Sequence, residues 1–177
     1  MPHLRRSALV AMLVVGALCS GCADYSTMQF FKDERLTFTT PDDYEEVEVP
    51  LVVSWTMEDF EILARGEDGE IAEDVGYFGV FVDRAPVKPG KTLADVGKGD
   101  TQCEIDPRCP DKTYLNAKGV YTTRQTSITL DYVAPLSSKE RIQLHQVTVV
   151  LLDAEGKRIG EYAWYQRFKL ENLVVNL

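Results

Sequence analysis

Val47-Glu48-Val49-Pro50-Leu51-Val52-Val53-Ser54-Trp55-Thr56-Met57 decides the fold class. Val47, Val49, Leu51, Val53, Trp55 and Met57 occupy every second position, with Glu48, Ser54 and Thr56 between them. Successive side chains of an extended chain point to opposite sides, so this alternation reads as a strand with one buried face and one wet face. A helix needs apolar spacing of three and four, and no window of the chain sustains it. Pro50 has no N–H to give to a ladder, which marks an edge or a bulge near the strand's start.

Outward from this stretch, the same periodicity predicts strands at 35–39, 77–83, 121–123, 126–133, 144–153 and 157–170. Asp153-Ala154-Glu155-Gly156 joins the last two as a hairpin, with a glycine where a positive φ is needed. In the final strand Tyr162, Trp164, Phe168 and Leu170 share one face, and Glu161, Arg167 and Lys169 the other. Helix is expected only as single turns, at 91–96 or 137–141. Short strands punctuated by glycine and proline imply an all-β antiparallel sandwich.

The chain opens with Arg5 and Arg6, then an apolar run from Ala8 to Leu18, then Ser20-Gly21 before Cys22. The run is too short to cross a bilayer core. Leu18-Cys19-Ser20-Gly21-Cys22 resembles the bacterial lipobox, with Cys19 in place of the usual aliphatic residue. That resemblance implies cleavage before Cys22, a lipid on its thiol, and a place at the cell membrane on its extracytoplasmic face. An ordinary secretory signal that leaves Cys22 a plain thiol is the competing reading, and Arg5-Arg6 also faintly resembles a twin-arginine export signal. The chain then divides into a signal peptide at 1–21, a tether at 22–34 and a sandwich at 35–177 that carries an insertion at 84–119. The 177-residue chain has a net charge of −9, and the segment removed holds two arginines and no acid. Such a balance repels phosphate backbones and anionic headgroups, so nucleic acid is set aside and membrane attachment falls to the lipid.

Cys103 and Cys109 remain inside the domain, and an oxidising compartment makes a disulfide the default. A loop this short restrains the unfolded chain by about 2.4 kcal/mol. Zinc would need more ligands than two thiols with no histidine nearby.

Three patterns resemble fibronectin type III and related immunoglobulin-like sandwiches. Val53-Ser54-Trp55-Thr56 looks like that family's tryptophan-bearing second strand. Thr126, Ile128 and Leu130, followed by Pro135, look like its fifth strand and corner, and Val147, Val149, Leu151 and Asp153 fall on the spacing of its sixth. The resemblance implies that His145 stands where the family has its core-edge tyrosine. Gly76-Tyr77-Phe78-Gly79-Val80-Phe81-Val82-Asp83 also resembles a strand of bacterial exported sandwich domains, with its final aspartate but without its histidines.

Chemistry is sparse. No Gly-x-Ser-x-Gly elbow, phosphate loop, dinucleotide fingerprint or His-Glu-x-x-His pattern occurs. His145, the one histidine after Cys22, lies in a strand, a poor place for a mobile base. Acids cluster at 42–46 and 58–74, but Glu67-Asp68-Gly69-Glu70 lacks the alternating ligands of a calcium loop and reads as a solvated turn. No catalytic, cofactor-binding or metal-ligating residue is therefore expected. The insertion 84–119 is locally basic, with Arg84, Lys88, Lys91, Lys98, Arg108, Lys112 and Lys118 against five acids. Prolines and the Cys103–Cys109 clip would stiffen it, and a pre-ordered loop loses less entropy on association; an insertion that only caps one end of the sandwich is the competing reading. The expectation is a non-catalytic, lipid-anchored envelope protein with a binding or structural module, meeting an envelope protein through 84–119. A solute- or metal-binding lipoprotein serving a transporter or cell-wall enzyme is the alternative.

Overall fold

The computed structural model describes residues 33–63 and 75–171. The predicted signal peptide 1–21, Cys22, the predicted tether up to residue 32 and the turn predicted at Glu67-Asp68-Gly69-Glu70 lie outside the described residues. Within them the chain forms β1 (Leu36–Thr40), β2 (Glu45–Val47), β3 (Leu51–Met57), β4 (Glu61–Ile62) and β5 (Val75–Val82). A 3₁₀ turn (Leu93–Gly97) and two short helices, α1 (Thr101–Ile105) and α2 (Lys112–Ala117), follow. The chain then returns to strands with β6 (Val120–Thr123), β7 (Ser127–Leu130), β8 (Ile142–Leu152) and β9 (Arg158–Glu171).

One sheet has the order β1-β3-β7. The other joins β2, β9, β8 and β5, and β5 then carries β4 along its first residues and β6 along its last. All ladders are antiparallel except β2 on β9 and β4 on β5. The predicted strand over 47–57 is divided. Val47 pairs with Leu170 in the larger sheet, whereas Leu51 pairs with Leu130 in the smaller one. The break falls at Glu48-Val49-Pro50, where proline removes a ladder donor, so the chain changes sheet there. The turn predicted at 137–141 is irregular rather than helical, and the two helices of the insertion were not expected.

The sheets face each other across one core. Leu51, Val53 and Trp55 of β3 meet Phe78 and Val80 of β5, Val147, Val149 and Leu151 of β8, and Trp164, Phe168 and Leu170 of β9. Trp55 stands edge-on to Phe78 with ring centroids 5.2 Å apart, and Phe38 lies edge-on to Trp55 at 6.3 Å. Such edge-to-face pairs add to the burial of their area.

The large sheet also has a buried outer face. Phe81 of β5, Val120 of β6, and Val150 and Leu152 of β8 form a second cluster under Leu115, Leu93 and Val96 of the insertion. This explains why β5 reads as a nearly continuous apolar run while β3 alternates: a strand covered on both sides has no wet face. The insertion therefore roofs the sheet instead of projecting from it. Its root is bonded to the β8–β9 hairpin, since Leu93 N–H donates to Gly156 O at 3.0 Å and Arg158 N–H to Lys91 O at 2.8 Å.

Arg158 ties this root to an irregularity in β9. Leu151 pairs with Ile159, but Val149 pairs with Trp164, so residues 160–163 bulge out opposite one residue of β8. The Arg158 side chain is 7% exposed. Its Nη1 donates to Val87 O at 2.7 Å, and its Nη2 to Glu161 O at 2.6 Å and Tyr162 O at 3.0 Å. Burial lowers the guanidinium from its ordinary pKa, and the charge of Glu161 opposes that shift. The bulge turns Tyr162 to the surface, away from the buried face that simple alternation assigned it with Trp164.

Candidate functional site

The insertion is held by local devices that its sequence carries. Asp100 caps α1, its carboxylate accepting from Gln102 N–H, and Asp111 caps α2 by accepting from Tyr114 N–H. The same Asp100 accepts from the Tyr114 hydroxyl at 2.8 Å and from Lys118 Nζ at 3.1 Å, joining both helices. The Tyr114 hydroxyl first, then Gln102 N–H and the Lys118 ammonium, hold the Asp100 carboxyl below its ordinary pKa. Cys103 and Cys109 lie at disulfide distance with Cα atoms 4.7 Å apart. A Cβ on Gly97 would come within 2.5 Å of Cys103 Sγ, so only glycine lets the 3₁₀ turn pass the clip.

The corner between β7 and β8 is organised by a residue that the resemblance did not single out. Gln143 is 2% exposed. Its Oε1 accepts from Leu136 N–H at 2.6 Å and Ser137 N–H at 3.2 Å, while its Nε2 donates to Ser137 O and to Glu140 O at 2.9 Å. This is the task of a corner residue that bonds back to the preceding loop, performed two positions before His145. A polar residue in the inward register of β8 was the available signal. Gln143→Glu removes the amide donors without changing size, leaving the carbonyls of Ser137 and Glu140 against a carboxylate. We expect a loss of about 2–3 kcal/mol in urea unfolding at neutral pH. Burial raises the folded-state pKa of the new carboxyl, so the variant regains stability on acidification below that pKa and loses it again as pH rises. A pH-independent loss under 0.5 kcal/mol would remove the clamp role.

His145 lies next along that face. Its ring is 2% exposed, stacks on Phe168 at 5.6 Å, and meets Asp83 Oδ2 through Nδ1 at 2.6 Å. Asp83 ends β5 with φ 54°, a left-handed conformation that aspartate tolerates, and its Oδ1 accepts from Gln146 N–H at 2.9 Å. The two residues singled out by the two resemblances are thus one pair, and it locks the end of β5 to β8.

Between this corner and the insertion runs a cleft of ≈ 350 Å³. Its floor is Val82, Tyr121 and Val133, one wall is Arg84, Asn116 and Lys118, and the other is Tyr132 to Leu136. Arg84 Nη1 donates to Lys118 O at 3.1 Å, which fixes the basic wall. Tyr132 is 65% and Leu136 58% exposed at the rim. Arg84 and Lys118 stand beside two exposed apolar side chains, with Asp83 also on the lining, which suits a partner segment that is mainly apolar with an acidic group placed to reach Arg84. Of the insertion's bases only Arg84 and Lys118 line this cleft, Lys118 being paired with Asp100 at 3.1 Å and Arg108 with Asp106 at 3.3 Å. Among the described residues no group of three or more His, Cys, Asp or Glu is placed to hold a metal ion, and no helix is long and apolar enough to cross a membrane.

No protein-family model, no curated protein and no solved structure matches this chain.

Proposed function

We propose that the chain is a lipid-anchored envelope protein whose sandwich is a non-catalytic binding module of the immunoglobulin-like, fibronectin type III-like class. The strand order supports the class. With the short β2 and β4 set aside, the first, second and fifth strands form one sheet, and the seventh, sixth, third and fourth form the other. That division is similar to the two sheets of immunoglobulin-like sandwiches. The lipid anchor rests on Cys22, which stands eleven residues before Asp33, the first described residue.

The observation that carries the binding role is the cleft with Arg84 and Lys118 on one side and exposed Tyr132 and Leu136 on the other. Large apolar residues held by a clamped loop and flanked by cations favour association, because little conformational freedom is left to lose. The partner is an envelope protein that presents an acidic and apolar segment. The test is crosslinking in the native cell, comparing the unaltered chain with the double variant Tyr132→Ala, Leu136→Ala and with Lys118→Glu. Tyr132 and Leu136 are exposed, so the double variant leaves the melting temperature in place; Lys118→Glu also breaks the ion pair with Asp100, so its crosslinks are compared only after its melting temperature shows it folded. Loss of one defined crosslinked protein in both variants is expected, whereas an unchanged pattern would overturn the reading. For the anchor, Cys22→Ala shifts the chain to the soluble fraction or leaves it unprocessed. A variant that still carries lipid would refute it.

A further inference from the structure

We infer a second binding site, for a neutral saccharide, at the end of the sandwich away from the insertion cleft. There an open cleft of ≈ 700 Å³ lies between the start of β1, the end of β3 and the bulge of β9. Its size is that of a small-ligand site. Tyr162 and Trp164 form one wall, their rings stacked at 6.5 Å with 30° between planes. The indole N–H of Trp164 is committed to Asp33 O at 2.8 Å, which fixes the plane of that wall.

Polar groups share the cleft with the rings. Arg35, Asp59 and Glu161 line it. Arg35 is held as a planar fork by Asp33, Nε donating to Oδ1 at 3.1 Å and Nη2 to Oδ2 at 2.8 Å. The hydrogen bond to Asp33 is the main reason the guanidinium pKa is raised, and the charge of Asp59 adds to it. Asp59 sits at φ 49°, which keeps its short side chain at the mouth in a conformation few residues adopt.

Charge selects the ligand class. Asp59 and Glu161 face the cleft with Arg35, whose charge is already matched by Asp33, so the lining offers carboxylate acceptors and a guanidinium donor together. An anion gains little there, and the spermidine control tests whether a cation does. A polyhydroxylated ring gains on both sides: its C–H face lies on the exposed Tyr162 ring, and its hydroxyls donate to the carboxylates and accept from the guanidinium. The bulge itself is the construction step, since in regular register Tyr162 would not stand beside the cleft mouth.

The experiment is isothermal titration of the purified full chain with chitotetraose, cellotetraose and maltotetraose, with spermidine as the charged control. At least one of the three saccharides binds with a dissociation constant on the order of 1 mM or tighter. Tyr162→Ala weakens that binding about tenfold, while Tyr162→Phe, which keeps the ring face, retains it. Tyr162 is 42% exposed, so its melting temperature holds in both variants and folding does not confound the result. Absence of heat with all three saccharides, binding of spermidine alone, or equal affinity in Tyr162→Ala overturns the site. None of these outcomes touches the cleft at Tyr132 and Leu136, whose test is separate.

Discussion

Phe78→Ala is expected to lower the free energy of unfolding by about 3–5 kcal/mol, enough to shift the melting temperature by roughly 10 °C or more. Phe78 is fully buried, stands edge-on to Trp55 of the facing sheet at 5.2 Å and lies 5.5 Å from Phe60. It is therefore the ring through which β5 of the large sheet grips β3 of the small one. Removing it leaves a cavity walled by Trp55, by Phe60 of the β3–β4 connection and by aliphatic groups of β5 and β8, and the ladders that hold the strands limit how far the gap can close. Phe81→Ala, one face away in the cluster under the insertion, gives an informative comparison. If the roof folds together with the sandwich, both variants unfold in one transition with the same denaturant slope. A Phe78→Ala loss below about 1.5 kcal/mol would show that the sheets are not held together at this point.

Arg158→Met is expected to cost about 3 kcal/mol, and Arg158→Lys to restore little of it. Two effects oppose each other here. Desolvating a guanidinium is costly, and replacing a buried charge by an apolar chain is sometimes neutral. Against that, Val87 O, Glu161 O and Tyr162 O all accept from this one side chain, and hydrogen bonds to a charged donor contribute about 1.5–3 kcal/mol each. With three short bonds the carbonyls dominate, because methionine leaves all of them without a donor. Lysine presents one compact ammonium and cannot span acceptors on two separate segments. The loss should be local as well as global. Amide exchange at 160–163 and at the root of the insertion rises in the same variant, since one side chain holds both. Unchanged exchange at either place would separate the bulge from the root and contradict the clamp.

The alternation in β3, β8 and β9 was legible because each strand has one face on the shared core, and a single rule of period two describes it. It gave the strand positions to within a few residues and the two-sheet class. It failed where a second physical constraint acted on the same residues. Val47 and Leu51 have the same register in sequence, but Pro50 lies between them and they belong to different sheets. Tyr162 and Trp164 have the same parity, yet the bulge in β9 sends one outward and the other into the core. Phe81, Val150 and Leu152 sit at positions that a one-sided strand would leave wet, and they are apolar because the insertion covers them.

The candidate sites were less legible than the fold. The basic balance of 84–119 pointed toward the first cleft, but only Arg84 and Lys118 reach it. Its other wall, Tyr132 to Leu136, comes from a loop some fifteen residues beyond the insertion. Gln143 was visible only as a polar residue in an apolar register, and Arg158 left no signal, since a buried arginine at a strand's start looks like any surface base. The saccharide cleft assembles residues from 35 to 164, too far apart for any local spacing to show.

By itself, the sequence determined the all-β class, the positions of the main strands and the pairing of Cys103 with Cys109. These depend on period, composition and short separation, which a linear reading contains. The tertiary structure alone decided that the insertion is a roof and that His145 belongs to Asp83. It also decided that Gln143 holds the corner and that Arg158 holds the bulge. Each of these is a contact between residues brought together by the closing of two sheets. A contact at long separation has an energy only once the intervening chain has folded.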